Sequence, residues 1–518
     1  MVFSSYLFIF AFLPIVLIGF YALRYFKQDF LAKLFLVLGS LFFYAFWEVK
    51  YLALLLLSIF VNYGISVLIL RYSFARNARG GGQNFKAKGF FYLGIFFNLA
   101  LLGFFKYTDF FLENFNFFTK LLNFDFSIPL PHILLPLAIS FFTFQQIAFL
   151  VDCYKKIDTK DLEEPFNLIK NSKINFLDYC LFVAFFPQLI AGPIVHHKEM
   201  MPQFQNLFAT HFIAWDKIAK GVFILSIGLF KKVFIADSFA KWANAGFSVV
   251  EKGEYLNIAE SWATSLSYTF QLYFDFSGYC DMAIGLGLIF GIMLPINFFS
   301  PYKSLNITEF WQKWHITLGK FLKDYLYIPL GGNRISKIIT LRNLFVVAFL
   351  SGIWHGAGFG FIIWGVLHGL AMVLHRAWRF LLEARGLSGA YLLQTRLYKI
   401  FCWFLTFNFL NISWVFFRAE NVNGAINLLK GMFGIVWIEL PEKFTRMPKL
   451  LEHIGGRNDT LFYLIFAFIL CLGFKNSIQR LETFEPNYKN AILSGAFIYI
   501  SLITLAITPY VEFIYFNF

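Results

Sequence analysis

Residues 351–365 read SGIWHGAGFGFIIWG, and the side chain in that run able to do chemistry is His355. The surrounding stretch, 343–374, holds no Asp, Glu, Lys or Arg. A polar ring in so apolar a run has to be held by a partner or put to use, because ionisable groups within a membrane are costly and mark pathways or sites. Neutral imidazole accepts a proton near neutral pH, which suits it as general base for a hydroxyl that attacks an acyl carbonyl. A second histidine, His315, lies forty residues earlier in the segment 297–342, where seven basic residues face only Glu309 and Asp324. At helical spacing Trp311, Trp314, His315 and Leu318 fall on one face. That spacing predicts a helix through 311–318 whose tryptophan face carries His315 away from bulk water. PLGG at 329–332 then predicts a turn before Asn333 and Arg334. Against the catalytic reading stands the ordinary fate of a buried histidine, a satisfied packing residue. Two histidines, one in a basic segment and one in the next apolar run, fit a reaction carried across a membrane.

The elements that would position them are membrane helices. Of 518 residues 59% are hydrophobic and 14% charged, and the mean hydropathy is +0.64, which excludes an ordinary soluble domain. A bilayer core takes roughly 20 apolar residues per helix. Runs of that kind recur near 5–23, 31–47, 51–70, 89–105, 133–151, 176–192, 218–236, 261–296, 343–374, 400–417, 460–474 and 491–509. The 261–296 and 343–374 runs are long enough for a span plus a short or re-entrant piece. The fold class expected is an all-α polytopic membrane protein with about 10–13 membrane elements. The first run lacks basic residues before it and a small-residue cleavage site after it, so it reads as a retained helix.

Loop charge sets the orientation. Arg24, Lys27 and Lys33 follow the first run, Arg71, Arg76, Arg79, Lys86 and Lys88 follow the third, and both loops fall on one side. Taking that side as cytoplasmic puts the N-terminus outside and 297–342 inside. The net charge of +14 is accounted for by these short loops, which leaves no soluble basic domain to suggest nucleic acid.

Other motifs carry less. Cys153, Cys180, Cys280, Cys402 and Cys471 are scattered, without C-x-x-C spacing. His196, His197 and Glu199 lack the H-E-x-x-H frame, and adjacent histidines cannot share a helix face, so no metal is expected. GAGFG at 356–360 lacks the strand–turn–helix context of a dinucleotide loop, and RGGGQN at 79–84 lacks the Lys-Ser/Thr of a phosphate loop. No G-x-S-x-G is present. The glycines of 351–369 are suited to letting helices, or a substrate, approach closely.

FDFSGYCDMAIGLGL at 274–288, SLNITEFWQKWHITLGKFLKDYLYIPLGGNR at 304–334 and LSGIWHGAGFGFIIWGVLHG at 350–369 resemble the membrane-bound O-acyltransferase family, and within it the bacterial alginate and peptidoglycan O-acetyltransferase membrane subunits. FQQIAFLVDCY at 144–154 and FFPQLIAGPI at 185–194 match in character. The likeness runs from about 130 to 375 and divides the chain into N-terminal helices at 1–130, a catalytic core at 131–380 and C-terminal helices at 381–518. Cys280 departs from the small Ser common at its position.

The resemblance implies a helical bundle around a central tunnel, with no bound cofactor and with acetyl-CoA as acyl donor from the cytoplasmic side. It implies an acceptor hydroxyl on the outer side, on an exported polysaccharide, in a bacterial cytoplasmic (inner) membrane. The family's invariant histidine maps onto His355 and its second position onto His315. An exported SGNH-type acetyltransferase or esterase is expected as partner, because no segment outside the apolar runs reaches the length of a typical domain. Trp311, Trp314 and Trp354 could line the tunnel or merely pack. Asn306 and Arg334 join them as candidate binding residues. Asp275 and Asp281 adjoin an apolar run and should have partners or line the cavity. D-alanyl transfer to a cell-wall polymer and a lipid-linked sugar or polysaccharide flippase remain as alternatives; for the flippase, the repeat between halves that many transporters show is missing.

Overall fold

The computed structural model describes residues 1–77, 85–124, 126–155, 174–208, 213–387, 389–436, 450–508 and 513–514. Among these every regular element is a helix. In order they are α1 (Leu13–Tyr25), α2 (Asp29–Ala45), α3 (Val49–Asn77), α4 (Phe85–Leu121), α5 (Ile139–Lys155), α6 (Phe176–Ala184), α7 (Phe186–Leu189), α8 (His197–Gln205), α9 (Trp215–Phe230) and α10 (Asp237–Glu251). There follow α11 (Ile258–Ile289), α12 (Ile307–Lys313), α13 (Ile316–Leu322), α14 (Lys337–His355), α15 (Phe359–Ala384), α16 (Arg396–Arg418) and α17 (Val422–Met432), and then helices over Asn458–Gly473, Ser477–Glu482 and Tyr488–Ile507. Seven stretches among the described residues are long and apolar enough to cross a membrane: Phe8–Tyr25, Val49–Ser73, Phe85–Leu121, Lys337–His355, Phe359–Ala384, Arg396–Arg418 and Tyr488–Ile507. The glycine loop at 79–84 lies outside the described residues.

The chain packs as two units, Met1–Leu225 with Met282–Pro295, and Ser226–Asp281 with Ile296–Phe516. In the first unit polar side chains tie apolar helices together, as they do in lipid. Asn62 of α3 and Asn98 of α4 exchange amide hydrogen bonds, with Asn98 Nδ2 donating to Asn62 Oδ1 at 2.6 Å. Lys33 of α2 pairs with the buried Asp178 of α6 at 2.7 Å.

In the second unit, neighbouring Lys231 and Lys232 lie on a π-helical turn, Lys231–Ala236, a bulge type that clusters at functional places. They answer two buried acids of α11. Lys231 Nζ sits 2.7 Å from Asp281, which also accepts from Ser477 Oγ at 2.8 Å. Lys232 Nζ bridges Asp237 at 2.7 Å and Asp275 at 2.9 Å. Asp275 accepts in addition from the backbone N–H of Ile514.

Sequence reading expected 343–374 to be one span with a short appendage. It is the meeting of two full helices, α14 and α15, broken at Gly356–Gly358. The apolar run undercounted them because α14 begins at Lys337 and α15 runs on through His375, Arg376 and Arg379. Small residues let the pair close: a Cβ on Gly352 would stand 2.5 Å from the Phe361 carbonyl oxygen and 2.7 Å from Gly365 Cα. Ser336 opens α14 by accepting from the Ile339 N–H.

Candidate functional site

The basic segment 297–342 lies in the second unit and folds as two short helices with a sharp corner between them. Asn306 caps α12, its Oδ1 accepting from Glu309 N–H at 2.9 Å, while the Glu309 carboxylate accepts from Leu305 N–H. The helix predicted through 311–318 does not continue past Lys313. Trp314 turns extended (φ −109°, ψ 128°) and His315 takes the left-handed region (φ 46°, ψ 52°) before α13 begins at Ile316. The periodicity failed because a single left-handed residue rotates everything after it. The burial of the tryptophan face survives by another route, since Trp314, His315 and Leu318 are all buried. Trp314 is enclosed by Phe298, Phe310, Tyr302 and Trp414 at ring distances of 5.0–6.0 Å, a packing environment.

A non-glycine residue at positive φ costs about 1–3 kcal/mol and persists where its surroundings impose it. Here the imposing residue is Asn297, eighteen positions upstream. Its Oδ1 meets His315 Nδ1 at 3.1 Å, Thr317 N–H at 3.2 Å and Thr317 Oγ1 at 2.9 Å, and its backbone carbonyl accepts from Ile316 N–H at 3.0 Å. Phe299 N–H adds a bond to the Lys313 carbonyl. Burial pushes the His315 imidazole down to about 3, so it is neutral at any working pH.

His355 is the last residue of α14, so it ends a helix where an apolar run of unbroken length had suggested a place mid-span. It is buried among Trp354, Trp364 and Phe417 at ring distances of 4.8, 5.2 and 5.1 Å. Trp354 borders both histidines, its ring 6.4 Å from that of His315 and 4.8 Å from that of His355, edge-on to each.

A cavity of about 870 Å³ opens beside these elements, in the range of small-molecule and cofactor sites. From α14 it takes Thr340, Leu344, Val347, Ala348 and Ser351. These recur at helical spacing, and the next residue on the same stripe is His355. At 1.5 Å per residue the stripe from Thr340 to His355 spans roughly 22 Å. From α15 come Met372, His375, Arg376 and Arg379, from α12 and α13 come Thr308, Trp311 and Lys320, and Lys323 comes from the turn that follows α13. The cavity lining thus carries four cations, Lys320, Lys323, Arg376 and Arg379, while the wall along α14 is mostly apolar. Glu309, the acid in the lining, is held by Lys313 at 2.6 Å. The Ser351 hydroxyl is buried with no hydrogen-bond partner among the described residues, the one polar group of the α14 stripe beyond Thr340.

Of the residues named from sequence, Asn306 and Trp311 line this cavity. Trp354 borders both histidines, and Trp314 is packed behind His315. Arg334 is exposed next to the lining residue Asn333. Asp275 and Asp281 are engaged by Lys232 and Lys231 and do not line it. The turn at 329–332 forms with Gly331 and Gly332 at positive φ, and Asn343 Nδ2 donates to the carbonyls of Leu330 and Gly332. Asn297, Ser351, His375, Arg376 and Arg379 were missed. A helical period extended past residue 374 would have placed the last three on one face.

His196 and His197 do gather with an acid, but the acid is Asp152 of α5, forty-four residues upstream of His196. Asp152 Oδ2 lies 3.1 Å from His196 Nε2 and 3.8 Å from His197 Nε2, and the ligand atoms of the three could surround an ion. The proton pattern opposes one. His196 Nδ1 accepts the Lys198 backbone N–H at the start of α8, which puts its proton on Nε2, toward Asp152, where a metal would need a lone pair. The Lys198 ammonium, 3.5 Å from the same carboxylate oxygen, adds a competing charge.

Comparison with known proteins gives a consistent neighbourhood. The signature of the membrane-bound O-acyltransferase family matches residues 121–414. The chain is 45% identical to the peptidoglycan O-acetyltransferase of Helicobacter pylori over 100% of its own length and 98% of that protein. It is 39% identical to the probable alginate O-acetylase AlgI of Pseudomonas aeruginosa, covering 94% of this chain and 84% of that one. A teichoic acid D-alanyltransferase of Streptococcus thermophilus is 25% identical over 47% of this chain.

Proposed function

Because the chain belongs to the membrane-bound O-acyltransferase family, we propose that this multi-pass membrane O-acyltransferase moves an acetyl group from acetyl-CoA to hydroxyls of an exported cell-surface polysaccharide. Peptidoglycan is the first acceptor to test and an alginate-like polymer the second, after the names of the relatives that align over nearly the whole chain. The D-alanyl relative covers less than half of it, so acetyl is preferred as the acyl group. The membrane is a bacterial cytoplasmic membrane, with 297–342 on the donor side.

The observation that carries the reading is the cavity. Its four cations, Lys320, Lys323, Arg376 and Arg379, suit the phosphates of a coenzyme thioester. Its α14 wall leads by one helical stripe to His355, and the mostly apolar face of that wall keeps water from the thioester. In this reading His355 takes the proton of the attacking hydroxyl as the carbon–sulfur bond breaks, and the proton passes to the departing thiolate. The neutral His315 orients the reacting groups. Hydroxyl, acetyl and thiol then balance without a further reactant. An exported SGNH-type partner completes delivery to the polymer.

Radiolabelled acetyl-CoA supplied to the cytoplasmic face of inverted membrane vesicles tests this. Label should reach polysaccharide or an exported carrier, and thioester consumption should vanish in His355→Ala. Consumption that survives in His355→Ala at normal membrane level would overturn the site. Full acetylation of polymer by the purified chain alone would remove the partner.

A further inference from the structure

The corner at His315 shows more than a buried imidazole, because it settles which ring nitrogen bears the proton. The Asn297 amide has a fixed orientation: its Oδ1 receives the Thr317 backbone N–H, a group that can only donate, and its Nδ2 lies 3.3 Å from Cys280 Sγ. The His315 nitrogen that faces Oδ1 at 3.1 Å is Nδ1, so Nδ1 must carry the hydrogen and donate. Neutral imidazole has one N–H, which leaves Nε2 as a bare acceptor. That Nε2 is fully buried and has no hydrogen-bond partner among the described residues. Buried polar atoms are ordinarily satisfied, so an acceptor held open by a left-handed backbone and four bonds from residues 315–317 to one asparagine is prepared for a hydrogen that arrives with substrate.

We infer that Asn297 is a positioning residue for acyl transfer, which holds His315 in the Nδ1–H tautomer and so presents Nε2 to accept an O–H or N–H of the substrates. The inference rests on the reading of His315 given above. His368 supplies an internal contrast: its Nδ1 accepts from Trp311 Nε1 and its Nε2 faces Ser413 Oγ, so both nitrogens are used within the protein.

The test uses the full chain in membranes, with labelled acetyl-CoA and the variants Asn297→Leu, Asn297→Asp, His315→Ala and the double Asn297→Leu/His315→Ala. Asn297→Leu should lower kcat about 10–100-fold at unchanged donor KM, the size of loss general for a partner that orients a working histidine and smaller than that for a proton-transferring group itself. Asn297→Asp keeps an acceptor opposite Nδ1 and should recover most of the rate. Its carboxylate favours the charged imidazole, so the acid limb of the rate profile should move to higher pH. The double variant should be no slower than His315→Ala, because Asn297 acts through His315.

Wild-type turnover in Asn297→Leu, or losses that multiply in the double variant, would overturn the inference while leaving His315 in place. If Asn297→Leu does not accumulate, an unmoved pH profile in Asn297→Asp overturns it alone. Full activity in His315→Ala would instead remove the histidine's role, and the inference with it.

Discussion

The indole N–H of Trp311 donates to Nδ1 of His368 at 3.2 Å, and His368 Nε2 lies 3.0 Å from the Ser413 hydroxyl, which passes a hydrogen bond on to the Leu410 carbonyl. His368 is thus a fully satisfied link between α12, α15 and α16. Cutting it takes the acceptor from the half-buried Trp311 N–H and leaves Ser413 with its bond to Leu410 alone, at a cost of about 1–3 kcal/mol. His368→Ala should therefore accumulate less in the membrane, while transfer per folded molecule stays within a few-fold of wild type. Quantitative immunoblotting beside a transfer assay separates the two readouts.

His355 predicts the opposite pattern. It ends α14 on the stripe that lines the cavity and packs against aromatic rings. His355→Ala should keep a near-normal membrane level and lose about 10²–10⁴ in rate, the usual contribution of a general base. A variant that accumulates and still transfers at near the wild-type rate returns His355 to a packing role.

His355 and His315 also mark how far the sequence could be read. Hydropathy exposes helices, and an imidazole in a charge-free run stands out against it, so the membrane class and His355 were both visible. The corner at His315 was not, because one left-handed residue leaves no trace in a 3.6-residue period. Nor was Asn297, since a side chain eighteen positions away becomes a partner only once the loop before α12 folds back. Arg376 and Arg379 were hidden by the habit of ending a span at its first charges; α15 carries them onward on the face that meets the cavity.

Lys232 supplies a prediction about stability. Its ammonium lies 2.7 Å from Asp237 and 2.9 Å from Asp275, and all three side chains are buried. Removing one partner of a buried ion pair costs about 3–5 kcal/mol, because the remaining charge is stranded. Lys232→Met should fall sharply in membrane level. Adding Asp237→Asn and Asp275→Asn removes the stranded charges and should restore part of it. If the triple variant is no more abundant than Lys232→Met, the acids have a role beyond pairing.

Arg334 is exposed beyond the glycine turn of 329–332, which makes it a reporter of orientation. In a background without the five native cysteines, Arg334→Cys should react with a membrane-impermeant maleimide in inverted vesicles and stay unlabelled in intact cells. Labelling in intact cells would invert the proposed topology and place the cationic cavity on the outer side.

The last prediction concerns what the four cations recognise. Lys320, Lys323, Arg376 and Arg379 line the cavity, and the acid there, Glu309, is already engaged by Lys313. If they bind the phosphates of the donor, they contribute to binding and not to bond breaking. Uniform binding of this kind raises KM when lost and leaves kcat unchanged. Lys320→Gln, Arg376→Gln and Arg379→Gln should each raise KM for acetyl-CoA about tenfold, equivalent to about 1.4 kcal/mol. Raised salt should weaken wild-type donor binding more than it weakens binding to the variants, because the partly screened attraction is what they have lost. S-acetyl-N-acetylcysteamine carries the same thioester without phosphates, so wild type and variants should use it equally poorly. A variant that loses kcat with acetyl-CoA, or is equally impaired with the phosphate-free thioester, shows that the residue serves the reacting end or the fold, and the donor's phosphates must then be held elsewhere.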